Sequence, residues 1–295
     1  SLNPQFRKHK PKRNEVNDFR NELKSCLVSV KEADKVHEEE GFMKTPITTF
    51  LKNTFYQDNL VNSKGKIDLA IYRGKDFDSN VAVIIETKRP SNTSEFLTNE
   101  DINRKALHEL LLYYLRERID NENNNIKTLI ATNGYEWYLF KGEDFYKYFY
   151  KKIALVKEYT EWKNKQKDSS KTDSFYNDIA KKYIAEVESE LPFVYLNFTK
   201  KALEEYTDES LNTLYKVFSD VNILGIPFGN DSNKLNKSFY NELLHIIGLE
   251  EKKDKGKKII YRKDDNKKDY SSLLENTIFK LESHLSRVKN YSVDK

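Results

Sequence analysis

Three residues concentrate the capacity of this sequence for chemistry: Asp68, Glu86 and Lys88. Glu86 and Lys88 close VAVIIETKRP (81–90), a β-branched run ended by Pro90. In a strand, positions i and i+2 point to the same side, so these two share a face with Ala82 and Ile84. Residues 81–85 are otherwise apolar, and two charges at the end of a buried strand need a reason. Asp68 lies in KIDLAIYRG (66–74), on the face opposite Ile67, Leu69 and Ile71. A hairpin register that sets Asp68 beside Glu86 brings two carboxylates together with an ammonium next to them. Paired carboxylates suit Mg²⁺, a hard cation that prefers oxygen ligands and keeps several waters. Such a site neutralises a scissile phosphate and acidifies a water, and a neighbouring lysine orients or deprotonates that water. The rival reading is a salt-bridged strand end, the usual meaning of an isolated Glu-x-Lys. The upstream Asp, the apolar Glu strand and the helix that follows favour phosphodiester hydrolysis.

The elements that must position these residues are legible in outline. Val16, Phe19, Leu23, Leu27 and Val30 recur at helical spacing, and Ile47, Phe50, Leu51, Thr54 and Phe55 predict a second helix with Pro46 in its first turn. The two strands of the Asp68 and Glu86 region form an antiparallel hairpin across RGKDFDSN (73–80). Residues 99–119 read as a long helix with an acidic start and a basic end, then IKTLIATNG (126–134) and YEWYLFKG (135–142) as two more strands. This order predicts an α/β fold, a mixed central sheet flanked by helices. Beyond a polar stretch, KNKQKDSSKTDS (163–174), the segments 175–190, 208–219, 236–249 and 271–289 read as helices. A charged excursion at 251–269 suggests a hairpin around Ile259, Ile260 and Tyr261. The expected division is a basic arm and helix at 1–35, a catalytic core at 36–165 and a mostly α-helical domain at 166–295.

Composition bounds the rest. The chain has 295 residues, 51 Lys+Arg against 47 Asp+Glu, and 38% hydrophobic residues, enough for a core. The single Cys26 excludes an internal disulfide framework and a cysteine-based metal cluster and points to a reducing compartment. No apolar run reaches roughly 18 residues and the N-terminus lacks a signal-peptide core, so a cytoplasmic location without a membrane partner is expected. A net charge of +4 does not by itself identify a nucleic-acid binder. The five basic side chains among residues 1–13 read either as a loose tail or as an arm on phosphates.

Asp68 followed by IIETK (84–88) resembles the PD-(D/E)xK nuclease superfamily, with Ile67 where the usual Pro precedes the Asp. NRKALHELLLYYLRERI (103–119), LIATNGYEWYLF (129–140), FYNDIA (175–180), LGIPFGNDSNKLNKSFYNELLHIIGL (224–249) and SLLENTI (272–278) are similar to the N-terminal part of type IIG restriction–modification enzymes. The resemblance spans residue 36 to the end. It implies a PD-(D/E)xK restriction-endonuclease-like core, a helical connector, and a methyltransferase and target-recognition region further on. S-adenosylmethionine would belong to that further part only. No Asn-Pro-Pro-Tyr/Phe signature and no glycine-rich cofactor loop occur here, and there is no initiator Met, so a fragment of a longer enzyme is expected.

Carried over residue by residue, the resemblance makes Asp68 and Glu86 metal-binding carboxylates and Lys88 the catalytic lysine. Glu39 and Glu40 in HEEEGFMK are candidates for a further acid from the first core helix, Glu40 preferred because it lies four residues before Lys44, or else form a solvated acidic helix end. Glu109 and Tyr113, four apart on one helix face, occupy the region of a Gln-x-x-x-Tyr element whose Gln is absent, so core packing is the competing role for Tyr113 and Tyr114. Arg89 is a candidate DNA-backbone contact or a solvated strand end, Asn92 a loop residue without a role. Asn133 and Trp137 read as turn and core. Arg104, Lys105, Arg116 and Arg118 either line a DNA cleft or are solvated. GNDSNKLN (229–236) reads as a helix cap, since no phosphate-loop pattern is present.

The expectation is therefore an Mg²⁺-dependent site-specific deoxyribonuclease, with Mn²⁺ as substitute, acting on double-stranded DNA in phage defence. One domain cuts one strand, so a transient dimer on DNA or sequential nicking completes a double-strand break. The rival from another class is a catalytically silent DNA-binding or interaction module that kept the fold. A nuclease region of a type I-like subunit is a further alternative, although no helicase motif occurs. A carboxylate-pair glycosidase would need two opposed acids in a broad cleft.

Overall fold

The alternating residues of 66–90 build the centre of the sheet. In this computed structural model, β-branched and small side chains pair across an antiparallel ladder, Leu69 opposite Ile85, Ala70 opposite Ile84 and Ile71 opposite Val83. The structure describes residues 2–35, 41–165, 172–228, 237–254, 257–264 and 272–285. The chain forms two compact units, 1–229 and 230–295.

The first unit begins with helices α1 (Pro4–Lys8), α2 (Arg13–Lys35) and α3 (Gly41–Thr54). A meander follows: β1 (Val61–Lys64), β2 (Ile67–Tyr72) and β3 (Val81–Thr87). Helix α4 (Lys105–Leu115) runs on as a π-helical turn, Arg116–Asp120. It crosses over to β4 (Thr128–Thr132), which lies parallel to β3. A crossover helix is what a parallel pair requires. Then come β5 (Glu136–Lys141), α5 (Gly142–Phe145) with a π turn at Tyr146–Tyr150, and α6 (Ile153–Lys165). Helix α7 (Thr172–Ser174) passes through a π turn, Phe175–Ala180, into α8 (Lys181–Ala185). Strand β6 (Val194–Asn197), α9 (Asp208–Phe218) and α10 (Asp220–Ile223) complete the unit. The six strands lie in the order β1-β2-β3-β4-β5-β6, a mixed sheet.

Both faces of the sheet are buried, so its central strands read as continuous apolar runs. One face packs Ala70, Ile84, Ala131 and Phe140 against Leu107, Leu110 and Leu111 of α4. The other packs Leu69, Ile71, Ile85 and Trp137 against Phe19 and Leu23 of α2, Phe50 of α3 and Phe218 of α9. Trp137 meets Phe218 edge-on at 5.0 Å, the core role expected of it. Asn133 makes the expected turn: its Oδ1 accepts from the Tyr135 and Glu136 amides. Gly134 follows with φ +87°, where a Cβ would lie 2.6 Å from a Val30 methyl carbon.

Several expectations change. Pro46 stands inside α3 rather than in its first turn. The helix expected from residue 99 starts at Lys105, because Thr98 and Asp101 close a turn on each other and Asp101 Oδ1 takes the Asn103 amide. Strands β1 and β6, four residues each, were not expected, and they add the two edges of the sheet. The compact units part at 229/230, not near 165, because β6 pairs with β5 and α9 fills the second core. The basic N-terminus is anchored: Phe6 is buried, 4.6 Å from the Phe228 ring, and Lys216 Nζ donates to Arg7 O at 2.8 Å.

The second unit holds α11 (Lys237–Ile247), an antiparallel hairpin of β7 (Leu249–Asp254) and β8 (Lys257–Arg262), and α12 (Leu273–Leu285). These are the two helices and the hairpin read from the sequence. The expected cap at 229–236 lies outside the described residues. Among the described residues no helix is long and apolar enough to cross a membrane.

Candidate active site

Extending the β2–β3 register by one step from Leu69–Ile85 sets Asp68 opposite Glu86. Beyond β3, the Lys88 amide donates to Thr132 O at 2.9 Å, which keeps Lys88 in line with the sheet. Glu86 and Lys88 then turn together toward α4 as the period of two demands.

Lys88 is the centre of the cluster. Its Nζ stands 2.9 Å from Glu86 Oε1, 2.8 Å from Glu109 Oε2 of α4 and 3.8 Å from Glu95 Oε2. Only 2% of the Lys88 and Glu86 side chains is exposed, so the pair is desolvated rather than a surface bridge. Burial pushes the Lys88 ammonium toward deprotonation, but the Glu86 and Glu109 carboxylates outweigh it and hold its pKa above the usual lysine range. Glu86 moves up, through burial first and then the Glu109 charge, with Lys88 pulling the other way. Glu86 Oε2 is buried and accepts no hydrogen bond.

Asp68 is held separately. Its Oδ2 accepts from the Thr87 amide at 3.0 Å and the Thr87 hydroxyl at 2.8 Å, and its Oδ1 pairs with Lys44 Nζ of α3 at 2.8 Å. The expected convergence is thus partial: Glu86 and Lys88 meet directly, while the ammonium on Asp68 is Lys44. Four carboxyls (Asp68, Glu86, Glu95, Glu109) face three ammonium groups (Lys44, Lys88, Lys105), because Lys105 Nζ binds Glu95 Oε1 at 2.6 Å.

The remaining candidates divide. Glu109 joins the cluster. Tyr113 is buried nearby, and burial with the Glu86 and Glu109 charges raises its phenol, so it is neutral and packs in the core. Arg89 is half-buried just past β3. Glu39 and Glu40 lie outside the described residues. Asn92 gains a role, its amide donating to Glu95 Oε2 at 3.1 Å. Burial works against the Glu95 carboxylate, but hydrogen bonds from Lys105 and Asn92 hold its pKa below the usual range. Arg104 pairs with Asp101 at 2.7 Å and Lys105 with Glu95, so these cations do not form a free basic rim. Lys44, Thr87 and Glu95 were not singled out as site residues. Thr87 carried a signal, lying between Glu86 and Lys88; Lys44 and Glu95 carried none.

Among the described residues no group of three or more His, Cys, Asp or Glu side chains is placed to hold a metal ion. Two carboxylates do stand at the strand ends, one with a buried oxygen that accepts no hydrogen bond. A donor set of two carboxylates fits Mg²⁺, which takes one or two protein carboxylates and fills its shell with water and phosphate.

No curated protein and no solved structure matches the chain significantly. Residues 232–295 match a domain of unknown function, DUF7814. Residues 1–231, most of the sequence, match the domain of unknown function DUF7149, and the chain belongs to that family.

Proposed function

We propose that the first unit is a metal-dependent DNA endonuclease of PD-(D/E)xK kind, a site-specific deoxyribonuclease working beside a methyltransferase and target-recognition region of type IIG character. The observation that carries this reading is the Glu86–Lys88–Glu109 cluster beside Asp68 at the ends of paired strands. Asp68 and Glu86 would hold Mg²⁺ or Mn²⁺. When bound, the metal supplies neutralisation of the scissile phosphate and acidification of a water. Lys88 aims an ammonium at the same place and offsets charge that develops on phosphorus oxygens. Glu109 positions Lys88, and Thr87 fixes the Asp68 carboxylate by two hydrogen bonds. On this reading S-adenosylmethionine would belong to the methyltransferase region.

A second reading, a silent DNA-binding module with the same fold, draws on one observation: both Asp68 oxygens already have partners. Mn²⁺ calorimetry separates the two. A nuclease site binds the ion and loses that binding in Asp68→Asn. A silent module gives no heat, or heat unchanged by that substitution.

A further inference from the structure

Two π-helical turns meet on the surface of the first unit. A π turn widens a helix by one residue and often marks a functional position. Here Arg116–Asp120 presents Arg118, and Tyr146–Tyr150 presents Tyr146 and Tyr150 one turn apart. The two tyrosine rings stack at 5.5 Å with an interplanar angle of 24°. The Arg118 guanidinium straddles them, 5.0 Å from the Tyr146 centroid and 4.7 Å from that of Tyr150.

The charge of Arg118 is unanswered. Its Nε is buried without a hydrogen-bond partner, and among the described residues no carboxylate pairs with it. The acids on its own helical turn are engaged elsewhere: Glu117 pairs with Lys64 at 2.6 Å and Asp120 with Lys163 at 2.7 Å. Tyr146 is 37% exposed, and exposed Lys147 and Lys151 flank it, with Lys151 Nζ 5.3 Å from the Tyr146 centroid. A buried guanidinium nitrogen ordinarily finds a carboxylate or carbonyl. This one is held by aromatic faces, leaving a delocalised cation beside an open ring.

We propose that Arg118, Tyr146 and Tyr150, with Lys147 and Lys151, bind a single nucleic-acid strand, the cations taking phosphates and a base stacking on Tyr146. Interleaved aromatics and cations are the two components of sequence-tolerant strand binding. An acidic peptide would use the charges but gain little from the exposed ring. The site is distinct from the Lys88 cluster: Arg118 lies nine residues beyond Glu109, ~13 Å along the helix axis. It therefore holds a strand away from the cleavage chemistry.

The test is fluorescence anisotropy of a labelled oligothymidine of about twelve nucleotides, a length within known strand-binding footprints. It uses the full chain in EDTA, so that binding is read without cleavage and without regard to the nuclease reading. Tyr146→Ala is expected to loosen binding about tenfold with the salt slope unchanged. Arg118→Ala is expected to loosen it similarly and to lower the slope by about 0.7, one phosphate contact. Lys31→Ala, an exposed lysine of α2, leaves both unchanged. Thermal melting checks that each variant is folded. If Arg118→Ala unfolds, Tyr146→Ala decides, because its ring is exposed. The proposal is overturned if the wild type does not bind at about 100 µM, the weak end of non-specific affinity. It is equally overturned if Tyr146→Ala binds as the wild type does, or if polyglutamate binds and oligothymidine does not.

Discussion

Lys88 Nζ lies 2.8 Å from Glu109 Oε2, so an ammonium carried by the sheet is clamped by a carboxylate carried by α4. The pair ties the strand that bears Glu86 to the crossover helix that joins β3 to β4. The clamp is buried, which fixes where Lys88 points; on the proposed nuclease reading it makes Glu109 a positioning residue.

Glu109→Gln should therefore weaken cleavage without abolishing it. Residues that orient a catalytic group typically contribute about 10–100-fold to activity or metal affinity. Plasmid nicking under Mn²⁺ is expected to fall by that factor in kcat, with KM for DNA little changed. Glu109→Ala should fall further, since it also opens space beside Lys88. An equal loss in KM for both variants would assign Glu109 to DNA binding instead.

His108 gives the fold an acid limit. Its ring is pushed down to about 4 by burial first and the Lys181 charge second, and Nε2 lies 2.7 Å from Asn103 Oδ1. The unfolded chain takes up this proton near the ordinary histidine value, about 6.5. Folding stability is then complete above about 6.5 and declines as pH falls toward about 4, by about 3 kcal/mol. Urea melts between pH 7 and pH 4 should show this decline, and His108→Gln should flatten it. An unchanged slope in the variant would remove His108 as its source.

Cys26 is expected to be inert in the folded protein. Burial, then the Glu22 charge, push its thiol up to about 12, leaving almost no thiolate at pH 8. A thiol-reactive dye should label the native chain far more slowly than the urea-unfolded chain. Equal rates would show that α2 opens readily from the second core.

How much of this was legible depended on whether the signal was local. The hairpin of β2 and β3 was legible because alternation and a turn lie within one short window, and Trp137 and Asn133 because burial and turn chemistry follow from residue type. Edge strands β1 and β6 were not, because VNSK and VYLN are only four residues long and β6 pairs with a strand more than 50 residues upstream. The Asp68–Glu86–Lys88 grouping was legible as a pattern, yet its ion pairing was not. Lys44 reaches Asp68 from α3, and Glu95 reaches Lys88 from a loop, contacts fixed by packing over distances that spacing does not encode. Glu109 was named for its helical spacing to Tyr113, but the contact its carboxylate makes is with Lys88. The 229/230 division was hidden because the polar stretch near 165 looks like a linker, although β6 returns to the sheet after it.

The most direct measurement is supercoiled-plasmid nicking by the chain with Mg²⁺ or Mn²⁺, compared with Lys88→Ala and with EDTA. Melting of the variant confirms that it is folded. The predicted result is metal-dependent conversion to open circles by the wild type, and a loss of about 100-fold or more in Lys88→Ala, the scale expected of a group that stabilises transition-state charge. Cleavage by Lys88→Ala at the wild-type rate, or nicking that persists in EDTA, would contradict the assignment of this site.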